Sequence, residues 1–267
     1  MCIRDRRCVI LGSGDIGLIM ARRLTLEGAQ VEGVYEAKPE PSGLARNIRQ
    51  CLTDFDIPLH LSHTVTRVLG EGRVEAVETA RVDERMKPVP GSERLVPCDA
   101  LILSVGLIPE NELAESLGIP LDPHTKGPAV DGRFETVCPG VFCCGNAAQV
   151  HDLVDYVSEG AATAGRCAAL RALGKEAPAA PALTVEYGRA FVSVLPQRLQ
   201  PGDAPVTCYF RVAETRGASR LTVSQGGAVL LQKTYRHLRP PEMERVTLRP
   251  GAAGPVVFQL EDVGDDA

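Results

Sequence analysis

Three glycines near the start of the chain have the spacing of a loop that binds a dinucleotide. The segment 12–17 reads Gly-x-Gly-x-x-Gly and lies between an apolar run, 8–11, and a stretch with apolar residues at helical spacing. The first glycine permits a tight turn, the second lets the backbone approach a pyrophosphate, and the third permits close packing of helix on strand. The free N–H groups at a helix start attract phosphate. The predicted cofactor-binding residues of this loop are Gly12, Gly14, Asp15, Ile16 and Gly17.

An acidic residue closes the next predicted strand. Glu36 follows the apolar run 30–35 and comes about twenty residues after the glycine loop. A carboxylate at this position accepts hydrogen bonds from an adenosine ribose and repels a 2′-phosphate. The combination predicts binding of NAD in preference to NADP. The alternative is a structural turn followed by a solvated glutamate.

Asp15 is an unusual residue beside a pyrophosphate, and two interpretations stay open. As an acid in the first turn of a helix it is favoured by the helix dipole. Alternatively, it moderates the affinity for phosphate or contacts the nicotinamide half of the cofactor.

The elements that must position these residues alternate between strands and helices. The runs 8–11, 30–35, 57–61 and 100–105 are predicted strands, and 15–28 and 43–55 are predicted helices. Between them, 64–98 alternates apolar and polar residues and predicts an antiparallel meander. A strand over 140–144 and a helix over 152–173 come next. We therefore predict an α/β fold with a Rossmann-like unit.

The chain changes character after an alanine- and proline-rich stretch, 175–183. Short strand-like runs, the first over 187–195, then follow one another with Gly, Pro and Asp breaks. This pattern predicts a small all-β, sandwich-like domain. The predicted divisions are a leader at 1–6, a dinucleotide-binding domain at 7–120, a return segment at 121–174, a linker at 175–183 and the β-domain at 184–267.

The composition excludes several classes of protein. The net charge of −5 offers nothing to attract nucleic acid, and no apolar run approaches the length of a membrane span. Nine cysteines, an odd number without any Cys-x-x-Cys pair, argue against a disulfide framework and favour a cytoplasmic setting. Cys143 and Cys144 are expected to be packed thiols. No cluster has zinc spacing and no Ser/His/Asp arrangement stands out, so neither a metal ligand nor a protein catalytic residue is predicted.

Two further motifs carry a resemblance to a known family. Val105-Gly106 opens a Gly-x-x-Pro-Glu-Asn segment after a buried strand, and Gly140-Val141-Phe142 leads into Gly145-Asn146. In this order, the three motifs resemble the pyridine nucleotide-disulfide oxidoreductase superfamily of flavoproteins that bind two dinucleotides. The resemblance covers residues 7 to about 173.

The resemblance implies that FAD and NAD are cofactors and that the return segment completes a flavin-binding fold. Gly145 and Asn146 would lie beside the flavin ribityl-phosphate, and the helix beginning near Asp152 would point its N-terminus at the flavin ring. Aspartate is usual in the family where this chain has Asn146, so the usual charge is lost. His151 is either a proton donor near the flavin or a helix-start residue with a local hydrogen bond. The further site residues predicted in this way are Val105, Gly106, Gly145, Asn146, His151 and Asp152.

The segment 150–155 resembles a subgroup of flavoprotein subunits of the sarcosine-oxidase, opine-oxidase and hydrogen-cyanide-synthase type. This resemblance implies a second, substrate-oxidising subunit and a place in a hetero-oligomer. The family's first glycine motif, for the FAD adenosine, does not occur in this chain, and residues 1–6 look non-native. We therefore expect a fragment of a longer protein.

The motifs predict an oxidoreductase in which a hydride passes between NAD(H) and FAD and electrons pass on to a substrate or partner subunit. The alternative is a non-catalytic module that binds NAD for sensing or structure. A flavin distinguishes the two, since a sensor needs none. The β-domain, which concentrates no catalytic residue types, is expected to dock or cap a partner.

Overall fold

The computed structural model describes residues 4–175, 182–202, 204–251 and 254–263. The chain divides into two compact units, residues 1–106 and 107–267. Residues 1–3 of the predicted leader and 176–181 of the predicted linker lie outside the described residues.

The first unit is built on a parallel sheet of four strands, with an antiparallel meander of three. In chain order its elements are β1 (Arg7–Leu11), α1 (Asp15–Leu26), β2 (Gln30–Glu36), α2 (Ala45–Cys51), a 3-10 turn (Thr53–Phe55), β3 (Leu59–Leu61), β4 (His63–Leu69), β5 (Ala76–Arg81), β6 (Arg94–Pro97) and β7 (Ala100–Leu103). The parallel sheet has the order β3-β2-β1-β7, and the meander has the order β4-β5-β6.

Both faces of the parallel sheet are covered, because successive side chains of a strand point to opposite faces. Ile10 of β1 packs with Leu18 and Ala21 of α1 in one buried cluster. Its neighbour Val9 packs with Val77 of β5 in another. This two-sided burial explains why β1 reads as a continuous apolar run.

The second unit joins a segment of loops and helices to a β-sandwich. Its elements are α3 (Glu112–Ser116), a 3-10 turn (Gly145–Ala147), α4 (Val154–Ala172), β8 (Leu183–Tyr187), β9 (Phe191–Leu195), β10 (Arg198–Leu199), β11 (Val206–Val212), β12 (Ser219–Gln225), β13 (Ala228–Tyr235), β14 (Glu244–Leu248) and β15 (Val256–Asp262). The two sheets have the orders β10-β8-β15-β12-β13 and β14-β11-β9.

The sandwich core comes from alternating residues of both sheets. Phe191 and Phe210 from one sheet meet Phe258 from the other, with the Phe191 ring centroid 5.6 Å from that of Phe210 and 6.3 Å from that of Phe258. These edge-on aromatic contacts lie within the range that stabilises protein cores.

The segment before the sandwich shares a buried cluster with it. Phe134 and Ala164 pack with Leu195, Tyr209 and Met243 of the sandwich. A polar contact reinforces this packing, since the Tyr209 hydroxyl donates to Glu159 of α4 at 3.0 Å. The helix α4 is therefore held by both apolar and polar contacts with the β-strands.

Two predicted strands were wrong in detail. Residues 140–144 form a single β-bridge, between Glu135 and Phe142, because a turn at Gly140 bends the run and its apolar side chains go into the shared cluster. The predicted strand 187–195 begins on the last residue of β8, Tyr187, and only its part from Phe191 to Leu195 forms a strand of its own, β9. A turn in which the Phe191 N–H donates to the Gly188 carbonyl separates β8 from β9.

The α/β, Rossmann-like fold predicted from the motifs is confirmed, together with the meander and the two-sheet β-region. Across the residues that the structure describes, no helix has both the length and the apolar character needed to cross a bilayer.

Candidate dinucleotide-binding site

The motif segments of the first unit meet at one edge of the parallel sheet. β1 is flanked by β2 on one side and β7 on the other. The Gly12 N–H donates to the Tyr35 carbonyl at 2.7 Å, and the Ser104 N–H donates to the Leu11 carbonyl at 2.7 Å. The glycine loop therefore lies between the end of β2 and the end of β7. Ligands of open parallel sheets bind at this edge.

The three glycines of the loop differ in how much space a Cβ would have. Gly12 has a left-handed φ of +97°, and a Cβ there would lie 2.0 Å from the Ser104 carbonyl oxygen. A Cβ on Gly17 would lie 2.6 Å from the Gly12 oxygen. The nearest atom to a Cβ on Gly14 is the Ser104 Oγ, at 3.7 Å. Packing therefore requires glycine at the first and third positions, whereas the space beside Gly14 is open.

A cavity of about 370 Å³ opens beside the loop. This is within the range of small-ligand sites, about 300–1,000 Å³. The cavity brings together the glycine loop, the end of β2 and the end of β7, although these lie far apart in the sequence. Its lining residues are Leu11, Gly12, Gly14, Glu36, Ala37, Lys38, Ser42, Thr64, Met86, Ser104, Val105 and Gly106.

Glu36 is buried, with 6% of its surface exposed, and is held by hydrogen bonds. Its Oε2 accepts from the Ser13 N–H at 3.0 Å, the Ser13 hydroxyl at 2.5 Å and the Ser42 hydroxyl at 3.0 Å. Its Oε1 accepts from the Lys38 N–H at 3.0 Å. A carboxylate oxygen has about two acceptor positions, so Oε1 keeps acceptor capacity for a ligand hydroxyl.

These hydrogen bonds decide the protonation state of Glu36. Burial by itself would raise the pKa of the carboxyl group, because it disfavours the charged form. The hydrogen bonds from Ser13, Lys38 and Ser42 outweigh burial, and the pKa of Glu36 lies below its ordinary value. Glu36 is therefore an ionised acceptor at neutral pH.

Asp15 holds the start of α2. Its Oδ1 accepts from the Leu44 N–H and from the Asn47 side-chain amide, both at 2.8 Å. The first N–H groups of a helix have no acceptor within the helix. The Leu44 N–H is one of these, and Asp15 supplies its acceptor. Asp15 and Ile16 are absent from the cavity's lining, and Ile16 is exposed.

The predicted flavin contacts lie in the second unit, before α4. Gly145 has a left-handed φ of +63°, and Asn146 is exposed at the turn that follows. The Asn146 Oδ1 accepts from the His151 N–H at 3.1 Å. No side chain caps the start of α4. The unused helix N–H groups and the Asn146 amide suit polar oxygens of a flavin dinucleotide.

His151 and Asp152 contact the sandwich. The His151 ring lies 5.6 Å from the Tyr209 ring, edge-on, and burial lowers the pKa of its imidazole. Asp152 accepts from the Met243 N–H at 3.0 Å and from Arg211 at 3.4 Å. Both residues therefore support the packing of the helix start on the β-strands.

The sequence reasoning missed several residues at the cavity. Ser13 lies inside the glycine motif but was treated as a spacer. Thr64 and Met86 carry no local signal, because a strand and a loop of the meander bring them to the site. Ser42 lies six residues after Glu36, and its nearness to that residue is its one local signal.

The described cysteines show no reactive thiol pair. The eight described cysteines are all free. Burial raises the pKa of Cys143 to about 11 and also raises that of Cys144. Within the described ranges, no group of three or more His, Cys, Asp or Glu side chains is placed to hold a metal ion.

The family can be identified from the matched region. The model for the pyridine nucleotide-disulphide oxidoreductase family matches residues 3–168, which include the glycine loop, Glu36 and the turn at Gly145. This chain belongs to that family. Its members are oxidoreductases that use FAD and NAD(P)H, so the predicted enzyme class and cofactor pair are confirmed at the level of the family.

Known proteins extend this similarity. The hydrogen cyanide synthase subunit HcnB of Pseudomonas aeruginosa is 28% identical over 83% of this chain and 50% of its own length. The glutamate synthase [NADPH] small chain of Escherichia coli is 28% identical over 57% of this chain and 36% of its own.

The structure of T. acidophilum thioredoxin reductase shares the fold, with a TM-score of 0.53 and 24% identity over 63% of this chain and 53% of the reductase chain. The matched part thus spans half or less of the length of the two sequence relatives.

Proposed function

We propose that this chain is the nicotinamide-binding part of a flavoprotein oxidoreductase that passes a hydride between NAD(H) and FAD. The observation that carries the proposal is the cavity in which Gly14 and the ionised carboxylate of Glu36 meet. With both cofactors bound, the nicotinamide and the flavin supply the hydride chemistry. The residues of the chain bind, orient and screen them.

The sheet order suggests how the dinucleotide lies. Its pyrophosphate would rest on the glycine loop, at the start of α1, where N–H groups and the helix dipole attract negative charge. Its adenosine half would extend toward Glu36 at the end of β2. Its nicotinamide half would extend over Ser104–Gly106 at the end of β7.

NAD is the preferred cofactor in this proposal. The free acceptor position on Glu36 Oε1 suits a ribose hydroxyl, whereas a 2′-phosphate would meet a buried negative charge. Lys38 also lines the cavity and would weaken that repulsion. The E. coli relative is named for NADPH, so similarity to it does not indicate which cofactor this chain prefers. The proposed preference for NAD therefore rests on Glu36.

The flavin half of the proposal depends on the turn at Gly145. The Asn146 side chain is neutral, and its amide N–H groups would donate a hydrogen bond to a flavin oxygen. A charged aspartate at this position could only accept hydrogen bonds. The open start of α4 would add N–H donors and a positive dipole end.

We infer that the electrons go to a partner subunit. HcnB is named as a subunit of hydrogen cyanide synthase, and its similarity extends over 83% of this chain. In this proposal the sandwich helps to dock that subunit.

The test is to titrate the chain with NADH and NADPH, with FAD present, and to follow both binding and flavin absorbance. We expect NADH to bind more tightly than NADPH and to bleach the oxidised flavin band. A Glu36→Ala variant should lose this preference, while Glu40→Ala, an exposed acid nearby, should keep it. Binding of NADH without any flavin would instead favour the sensing module.

A further inference from the structure

Met86 reaches the cavity from a part of the chain that carries no cofactor motif. It lies in the loop between β5 and β6, fifty residues after Glu36 in the numbering. Its side chain lines the same cavity as Gly14, Glu36 and Lys38. The meander therefore forms one wall of the dinucleotide site.

Two hydrogen bonds place this loop on the β2 side of the cavity. The Val82 N–H, at the base of the loop, donates to the Ser62 carbonyl at 2.8 Å. The Ser62 N–H in turn donates to the Lys38 carbonyl at 3.0 Å. Because Lys38 lies two residues beyond Glu36, the last residue of β2, the loop stands beside the carboxylate, on the opposite side of β1 from β7.

The loop holds Met86 in a defined position. The Asp83 side chain accepts from the Arg85 and Lys87 N–H groups, both at 2.9 Å. The Asp83 N–H donates to the Lys87 carbonyl, and the Met86 N–H donates to the Asp83 carbonyl, each at 2.9 Å. Four hydrogen bonds thus close a turn of five residues.

Neither burial nor backbone preference explains a methionine here. Met86 has a left-handed φ of 61°, which residues with a Cβ rarely adopt. Its side chain is 51% exposed, between the charged residues Arg85 and Lys87. An apolar side chain held over a cavity, and not packed into a core, is available to a ligand.

We propose that Met86 forms the wall against which the adenine base of the dinucleotide packs. This inference rests on the proposed binding of NAD at this cavity. With the ribose at Glu36, the base lies beyond it, away from the phosphates and on the side where the loop stands. A flexible thioether makes favourable contacts with aromatic rings.

The test compares ligands that contain adenine with one that does not. The full chain and its Met86→Ala, Met86→Leu and Arg85→Ala variants would be titrated with NADH, ADP-ribose and reduced nicotinamide mononucleotide. We expect Met86→Ala to weaken NADH and ADP-ribose binding by the same factor, about twofold to tenfold. Met86→Leu should recover most of the affinity. Arg85→Ala should bind all three ligands as the unaltered chain does, and none of the variants should change the affinity for the mononucleotide.

A second measurement does not depend on a variant. Bound ADP-ribose should slow the oxidation of Met86 to its sulfoxide by peroxide, followed by mass spectrometry, while leaving the buried Met243 unaffected. Unchanged affinity in Met86→Ala, or unchanged oxidation at saturating ADP-ribose, overturns the inference and leaves the proposed function standing. If the unaltered chain binds neither NADH nor ADP-ribose, the proposed function fails, and the inference fails with it.

Discussion

The Ser13 hydroxyl donates a 2.5 Å hydrogen bond to the Oε2 of Glu36. Ser13 is the residue between the first two glycines of the loop, and Glu36 ends the neighbouring strand. The Ser42 N–H donates to the Ser13 Oγ at 2.8 Å, so the segment after β2 is tied to the same pair. Hydrogen bonds therefore hold the glycine loop, the carboxylate and the segment after β2 together.

We predict that Ser13→Ala lowers the free energy of unfolding by about 1.5–3 kcal/mol, because it removes a hydrogen bond to a buried charge. It should also weaken NADH binding, because Glu36 loses its orientation. Urea unfolding and NADH titration check both effects. Ser13→Thr, which keeps the hydroxyl, is the control. Equal losses in the Thr and Ala variants would mean that the packing of Ser13, and not its hydroxyl, holds the site.

The same pair predicts how stability depends on pH. The pKa of Glu36 is lower in the folded protein than its ordinary value of 4.5. The stability that Glu36 contributes is therefore complete above about pH 4.5 and is lost as the pH falls through the lower folded pKa.

Removing the Ser13 hydroxyl raises the folded pKa of Glu36, so in Ser13→Ala this stability should be lost at a higher pH. Unfolding curves measured from pH 7 down to pH 3 check the shift. In a Glu36→Gln background, Ser13→Ala should not change the pH dependence. A shift that persists there would point to another group.

Alanine at Gly14 should affect NADH binding, whereas alanine at Gly17 should affect stability. Gly14 has an ordinary φ of −64° and room for a Cβ. Gly14→Ala should therefore change stability by less than about 1 kcal/mol while reducing NADH affinity at least tenfold, because the methyl group takes the space of the pyrophosphate. Gly17→Ala should destabilise by about 1–3 kcal/mol, because its Cβ would collide with Gly12. Normal NADH binding by a folded Gly14→Ala variant would remove the phosphate site from this loop.

Asp15 should contribute to stability through α2. Asp15→Ala leaves the Leu44 N–H without its acceptor and should lower the free energy of unfolding by about 1–3 kcal/mol. Asn47→Ala removes only the side-chain donor and should cost less. Thermal unfolding of the two variants gives the comparison. If Asp15→Ala keeps its stability but binds NADH more tightly, the negative charge acts on the phosphates instead.

Cys143 and Cys144 should resist alkylation in the folded chain. With a pKa of about 11, only about one Cys143 thiol in a thousand is ionised at pH 8, and the thiolate is the reactive form. Mass spectrometry after brief iodoacetamide treatment should find both unmodified in the folded protein and modified in urea. Fast modification of the folded chain would show a reactive thiol pair.

Much of the fold could be predicted from local patterns in the sequence. The glycine spacing, the apolar run before it and the acid at the end of the next strand were enough to predict the strand–helix–strand unit, because each depends on neighbours within about thirty residues. Residues 140–144 and the first part of the run 187–195 were predicted to be strands, but each contains a turn. Periodicity alone does not reveal whether an extended run finds a partner strand.

The sequence by itself determined which backbone can approach a phosphate and which residue can carry a charge beside it. Only the tertiary structure decided that Ser13 and Ser42 hold Glu36, that Asp15 turns toward α2 and that Met86 enters the cavity. The reason is physical. A glycine's freedom and a carboxylate's charge are properties of single residues, whereas hydrogen bonds between distant segments exist only after the sheet and the meander have brought them together.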